Sequence, residues 1–210
     1  MNYNYIAIEG NIGSGKTSLS ALLAEEYNAK LVLEQFQENP FLGKFYEDKE
    51  RYAFQVEMSF LTERYYQLKT ELASGDLFQP KIIADYFINK CQIFGNTNLL
   101  DDEQKLFNSL FSIIDSSLPK PELIVYLFLD SETLLNNISK RGRIYEKKIQ
   151  KEYLETIHKN YFEYFKQLKN KRILIIDATN IDFVNNKNDY EVIKNTITAE
   201  YPVGTSRVIL

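Results

Sequence analysis

Gly10-Asn11-Ile12-Gly13-Ser14-Gly15-Lys16-Thr17 has the form GxxxxGK[ST], a spacing that suits binding of a nucleoside triphosphate through its phosphates. Glycines at positions 10, 13 and 15 let successive backbone N–H groups converge on phosphate oxygens. Lys16 adds a point charge for the outer phosphates, and the Thr17 hydroxyl is placed to ligate Mg²⁺, so ATP with Mg²⁺ is the expected donor. Such a loop leaves the phosphoryl acceptor open. Glu34 ends an apolar run, at the strand end where open α/β sheets bind ligands, and a carboxylate there can act as base on an acceptor hydroxyl. Asp85, after Ile82-Ile83-Ala84, suits an acidic group that helps hold the metal. Asp177, after Ile173-Leu174-Ile175-Ile176, is its rival, and spacing does not choose between them. Lys140, Arg141 and Arg143 around Gly142, with Lys147 and Lys148 beyond, concentrate positive charge in a chain of net charge −4. They read as a lid whose arginines stabilise a transferring phosphoryl group and exclude water, or as a solvated charge run on a helix end.

These residues need strands to carry them. Apolar runs rich in β-branched residues occur at Tyr5 to Glu9, Lys30 to Glu34, Lys81 to Tyr86, Leu123 to Asp130 and Arg172 to Asp177, with helical periodicity between them. Five buried strands alternating with helices predict an α/β fold with a five-stranded parallel sheet flanked by helices. Two connections are long: Phe41 to Gly75 and Ile88 to Ser117 read as helical insertions where substrate specificity is built. Pro119 and Pro121 exclude helix before the fourth strand, and Asp130 with Ser131 caps the helix bearing Leu134, Leu135 and Ile138. Ile149, Tyr153, Leu154, Ile157, Tyr161, Phe165 and Leu168 form a core stripe on a further helix, with His158 beside it as a structural residue. No role is assigned to the tail from Tyr201 to Leu210.

The 210 residues, 44% hydrophobic, suit one domain spanning 1–210. An acidic balance gives no footprint for nucleic acid, and no targeting or membrane segment is visible, so a cytoplasmic protein is expected. Cys91 is the one cysteine and His158 the one histidine, which excludes an internal disulfide and a structural zinc set.

Across nearly its whole length the chain resembles the deoxyribonucleoside kinases, and particularly their bacterial deoxyguanosine and deoxyadenosine kinase branch. The resemblance rests on Glu34 followed by Glu38-Asn39-Pro40-Phe41-Leu42, on Phe45-Tyr46, on Arg51-Tyr52-Ala53-Phe54-Gln55, on Phe60-Leu61 with Arg64, and on Ala84-Asp85-Tyr86. It continues through Leu118-Pro119-Lys120-Pro121, Lys140-Arg141-Gly142-Arg143 with Glu146, Tyr153-Leu154-Glu155, and Asp182-Phe183. It implies a P-loop kinase fold with an arginine-rich lid, a homodimer packed through helices, and feedback inhibition by a deoxynucleoside triphosphate. By position it implies that Glu34 takes the proton of the 5′-hydroxyl, that Tyr46 and Glu146 hold the 3′-hydroxyl, and that Asp85 lies near Mg²⁺. It makes Arg141 and Arg143 the lid arginines, puts Asp182 and Phe183 at the adenine of ATP, and makes Phe94 a ring to stack on the substrate base. Two departures stand out. Many relatives follow the acid at Asp85 with arginine and serine, whereas this chain has Tyr86 and Phe87, leaving Lys90 as the candidate replacement cation. The base-reading position falls on Glu57, where many relatives have glutamine.

Glu57 and Arg64 are two helical turns apart and share a face. An ionised glutamate offers only acceptors, which match the adjacent N1–H and N2 amino donors of guanine and oppose the N1 lone pair of adenine. Gln55 is the alternative reader, with Glu57 then merely pairing with Arg64. The expected activity is transfer of the γ-phosphoryl group of ATP to the 5′-hydroxyl of a purine deoxyribonucleoside, deoxyguanosine before deoxyadenosine, in nucleotide salvage. Two other readings share the loop: a nucleoside monophosphate kinase like thymidylate kinase, and a nucleotide-dependent switch.

Overall fold

A computed structural model describes residues 1–35, 39–73 and 80–210. Glu38 of the family motif, and Gly75 at the expected end of the first helical insertion, lie outside the described residues. The chain order is β1 (Tyr5–Gly10), α1 (Lys16–Glu26), β2 (Lys30–Val32), α2 (Leu42–Glu47), α3 (Lys49–Ala73) and β3 (Ile82–Ala84). There follow α4 (Lys90–Asn98), α5 (Asp101–Ser116), β4 (Leu123–Phe128), α6 (Ser131–Arg141), a 3₁₀ turn (Ile144–Lys148) and α7 (Lys151–Gln167). β5 (Arg172–Asp177), α8 (Lys187–Thr198) and β6 (Gly204–Ile209) complete it.

The described strands form one sheet in the order β2-β3-β1-β4-β5-β6, every pairing parallel. The sheet therefore has six strands and not five. The tail supplies the sixth: Arg172 to Asp177 pair in register with Gly204 to Ile209. β6 is an edge strand whose residues alternate between half-buried and exposed, so it lacks the continuous apolar run that marks strands covered on both faces.

β1 is buried at every position and lies between β3 and β4, so the chain leaves it with crossovers to either side. That arrangement opens a crevice at the carboxyl ends of the strands, where the loop after β1 lies. Leu19 and Leu23 of α1, with Leu134 and Ile138 of α6 and Ile193 and Ile197 of α8, pack with the sheet in one apolar cluster. Ile157, Tyr161 and Phe165 of α7 pack against Tyr126, Ile173 and Ile175 in another. A third joins α2, α3 and α5 around Phe45, Leu61, Leu68, Phe107 and Phe111, which gives the helical insertions a core of their own. His158 is structural as expected. Because its Nε2 faces the Leu129 carbonyl at 3.1 Å, Nε2 carries the proton and Nδ1 accepts from the Tyr126 hydroxyl at 2.7 Å. Burial lowers its pKa to about 4, which keeps the ring neutral.

Candidate active site

The loop between β1 and α1 is shaped by two left-handed glycines, Gly13 and Gly15, both at φ +84°. A side chain at Gly15 would also meet the Phe183 ring, whose nearest atom is 2.9 Å from the Cβ position. Gly15 caps α1 without a side-chain hydrogen bond, so the first amides of α1 are directed at the cleft, as an anion site requires. Asn11 anchors the loop: its Nδ2 donates to the Leu154 carbonyl of α7 at 2.8 Å and its Oδ1 accepts from the Ile12 N–H at 2.8 Å. From the other side Asn137 of α6 donates to the Gly13 carbonyl at 2.9 Å. Lys16 folds onto the Asn11 carbonyl at 3.2 Å. Burial and the neighbouring Lys90 charge lower its pKa to about 8, against the pull of Glu34, Glu9 and Asp85.

Asp85, just beyond β3, bridges the two halves of the site. Its Oδ2 accepts from the Thr17 hydroxyl at 2.6 Å, and its Oδ1 accepts from the Glu34 N–H at 2.7 Å. Asp177 makes neither contact: its carboxylate accepts from the Thr179 N–H and hydroxyl at 3.1 and 2.7 Å, at the turn after β5. Geometry thus separates two acids that spacing left equal. Thr17 and Asp85 thereby bring two hard-oxygen donors together, a pair that fits the residues that would hold a Mg²⁺ ion.

Glu34 is held by two cations. Arg64 of α3 donates Nε–H at 2.9 Å, with a second, shorter bond from Nη2 to the same oxygen, and Lys90 of α4 donates to the other oxygen at 2.5 Å. Burial alone would raise the Glu34 carboxyl, but Lys90, Arg64 and Lys16 outweigh it and hold it well below the usual carboxylate range. Lys90, the candidate replacement cation, thus sits on Glu34 beside Arg64. Arg64 spends a further N–H on the Cys91 thiol at 3.0 Å. Glu57 does not pair with Arg64. Its Oε1 accepts from Asn98 Nδ2 at 2.7 Å, while its Oε2 has no hydrogen-bond partner among the described residues. Burial raises its pKa to about 7, opposed by the Asn98 hydrogen bond and by Arg64 and Lys90.

On the lid, the Asp130 carboxylate caps α6 by accepting from the Glu132 and Thr133 N–H groups, and Gly142 at φ +73° ends the helix. Glu146 of the 3₁₀ turn accepts from Arg141 at 3.1 and 2.6 Å and from Arg143 at 3.2 Å. Two cavities meet beneath these arginines. The larger, about 1080 Å³, runs from the loop glycines past Asn137 and Lys140 to Asp182 and Phe183. The other is lined by Tyr46, Glu57, Phe60, Phe94, Asn98, Glu146 and Tyr153. Lys16, Thr17, Glu34, Asp85, Arg141 and Arg143 line both. Gln55 lines neither and is exposed on α3, because it is two residues from Glu57 and so faces away on the helix; the alternative that Gln55 reads the base is corrected. Lys147 and Lys148 are also exposed outside both cavities.

A family model described as "Deoxynucleoside kinase" matches residues 6–201. The chain belongs to the deoxynucleoside kinase family. It is 39% identical over 194 residues to a deoxyguanosine kinase of Bacillus subtilis (strain 168), covering 89% of this chain and 92% of that one. It is 30% identical over 198 residues to a deoxyadenosine/deoxycytidine kinase of the same organism, covering 92% and 91%. Among solved structures, that of deoxyadenosine kinase from M. mycoides with bound dATP matches with a TM-score of 0.78 at 27% identity, covering 93% of this chain and 99% of that chain. The kinase fold is therefore the P-loop kinase fold, its reaction is phosphorylation of a deoxynucleoside, and the monophosphate-kinase and switch readings are set aside. No helix among the described residues is long and apolar enough to cross a membrane.

Sequence motifs gave no role to Asn98, Asn137 and Tyr153 of this site, or to Glu9 beneath it. Glu9, at the end of β1, is wholly buried and accepts from the Phe87 N–H at 2.9 Å and the Tyr161 hydroxyl at 2.8 Å. An acid inside an apolar strand just before the glycine loop was the signal for it. Asn98 and Tyr153 line the smaller cavity from α4 and α7, and nothing in their spacing distinguishes them from helix surface and core stripe.

Proposed function

We propose that the kinase transfers the γ-phosphoryl group of ATP to the 5′-hydroxyl of a purine deoxyribonucleoside, deoxyguanosine before deoxyadenosine, as a step of nucleotide salvage in the cytoplasm. The observation that carries this reading is the wall common to the two cavities, where phosphate-binding groups and the carboxylates of Glu34 and Asp85 face both sides. ATP takes the larger cavity, with its phosphates on Gly10 to Thr17 and its adenine against Phe183 and Asp182. Thr17 and Asp85 would hold a Mg²⁺ ion, which would supply positive charge against that developing on the phosphates. The deoxynucleoside takes the other cavity, with Phe94 against the base and Tyr46 and Glu146 at the 3′-hydroxyl.

Glu34, kept ionised by Arg64 and Lys90, orients the 5′-hydroxyl and receives its proton as the bond to phosphorus forms. Arg141 and Arg143, aligned by Glu146, stabilise charge spread over the phosphoryl oxygens. Glu57 reads the base: its acceptors suit the N1–H and N2 amino donors of guanine. The 39% identical deoxyguanosine kinase supports that preference. A homodimer is proposed on the exposed apolar face of α5.

The test is ADP release from ATP and Mg²⁺ with each of the four deoxynucleosides and, separately, their monophosphates. Strongest stimulation by deoxyguanosine is expected. A preference for deoxyadenosine would discard the glutamate argument and keep the reaction, whereas a response to monophosphates alone would discard the acceptor.

A further inference from the structure

Glu57 is the one acid lining the smaller cavity with a carboxylate oxygen that nothing among the described residues satisfies. Its other oxygen is engaged by Asn98, the last residue of α4, whose own Oδ1 faces the Tyr153 hydroxyl of α7 at 3.5 Å. A chain of three side chains thus ties α3, α4 and α7 together and fixes which oxygen of Glu57 is left over. A buried acceptor without a donor is disfavoured, and a base bringing donors relieves it. Resting on the purine reading above, we propose that Asn98 is a positioning residue for base recognition, holding Glu57 so that its left-over oxygen meets guanine when ionised and adenine when protonated, which makes the choice of purine depend on pH.

The chemistry follows from the two edges. Ionised Glu57 accepts from guanine N1–H and the N2 amino group; against adenine it sets a lone pair on N1. Once protonated, the same oxygen donates to adenine N1 and loses its fit to guanine N1–H. The groups facing Glu57 are Arg64 on its own helix, Glu34 beyond β2, Lys90 and Cys91 on α4, and Tyr153 on α7. Burial outweighs the two cations, so the carboxyl titrates at about 7, within the range where both forms are sampled.

The experiment measures kcat/KM for deoxyguanosine and deoxyadenosine with the full chain, ATP and Mg²⁺, over roughly pH 5.5 to 9. In the wild type the deoxyguanosine-to-deoxyadenosine ratio rises about 5- to 150-fold across this range. In Glu57→Gln the ratio stays flat. In Asn98→Ala the midpoint of the rise moves to higher pH, because the hydrogen bond that favours the ionised form is gone. Asn98→Asp, equal in size, moves it further by adding a like charge, and serves if the alanine variant does not fold. A wild-type ratio that is flat while both substrates turn over, or a midpoint that neither Asn98 variant moves, overturns the inference and leaves the kinase reading standing. Absence of turnover with both purine deoxynucleosides overturns both together.

Discussion

Glu34 is ionised throughout the physiological range because Arg64 and Lys90 each donate to it in a buried site. A carboxylate held so far below its ordinary pKa is a weak base toward a free alcohol. In a loose phosphoryl-transfer transition state, however, the hydroxyl becomes acidic only as its bond to phosphorus forms, so orientation matters more than early proton removal. Glu34→Gln keeps the shape and removes the charge, and is expected to lower kcat by about 10²- to 10⁴-fold with little change in KM for the deoxynucleoside. Steady-state kinetics decides it: an unchanged kcat would remove Glu34 from the proton's path. Glu57 has the opposite balance. Its folded pKa, about 7, lies above its ordinary 4.5, so the folded state binds the proton more tightly and stability falls as pH rises from about 4.5 through 7. The full difference is about 3 kcal/mol. Glu57→Gln is therefore expected to gain stability over wild type at pH 8 and little or none at pH 4.5, as read by urea denaturation; an equal effect at both would show that charge burial is not what Glu57 contributes.

At the scale of elements, α6 carries the lid and also holds the phosphate loop through the Asn137 bond to Gly13, so its start and end govern both. Asp130→Ala leaves two N-terminal amides without their acceptor and is expected to cost about 1 kcal/mol, a fall in Tm of roughly 2 to 4 °C by calorimetry. An unchanged Tm would mean that water caps the helix equally well. This cap was legible from Asp130-Ser131 before a run of leucines, as were five of the strands, of which β1, β4 and β5 carry the continuous apolar signature of burial on both faces. β6 was not, since its residues alternate between half-buried and exposed and it follows Pro202. Within the site, the glycine loop is local in sequence and was readable as a motif. The Arg64–Glu34 and Asn98–Glu57 pairs are made by packing α3 against β2 and α4, and single polar residues on long helices carry no periodic mark of the partner they will meet.

At the scale of the whole molecule, α5 presents an apolar stripe with no partner among the described residues: Leu106, Leu110 and Ile113 are 53%, 36% and 70% exposed. They recur at helical spacing beside Phe107 and Phe111, about a third of a turn round the helix, which pack into the core, so the apolar face of the helix is wider than the core covers. An apolar face wider than its core contact needs a second surface to cover the remainder. The charged first turn of α5, Asp101, Asp102 and Glu103, limits that surface to the middle and end of the helix. A second copy meeting the same stripe across a two-fold axis covers each residue with its own equivalent, the simplest way to close such a face. The kinase is expected to sediment at twice its 24.6 kDa mass, and Leu110→Asp with Ile113→Asp together to give a folded monomer, because burying each apolar side chain contributes at most about 1.5 to 3 kcal/mol and two buried charges reverse that gain. Analytical ultracentrifugation with circular dichroism reads both points. A wild-type monomer, or a double variant that stays dimeric, would move the interface away from α5.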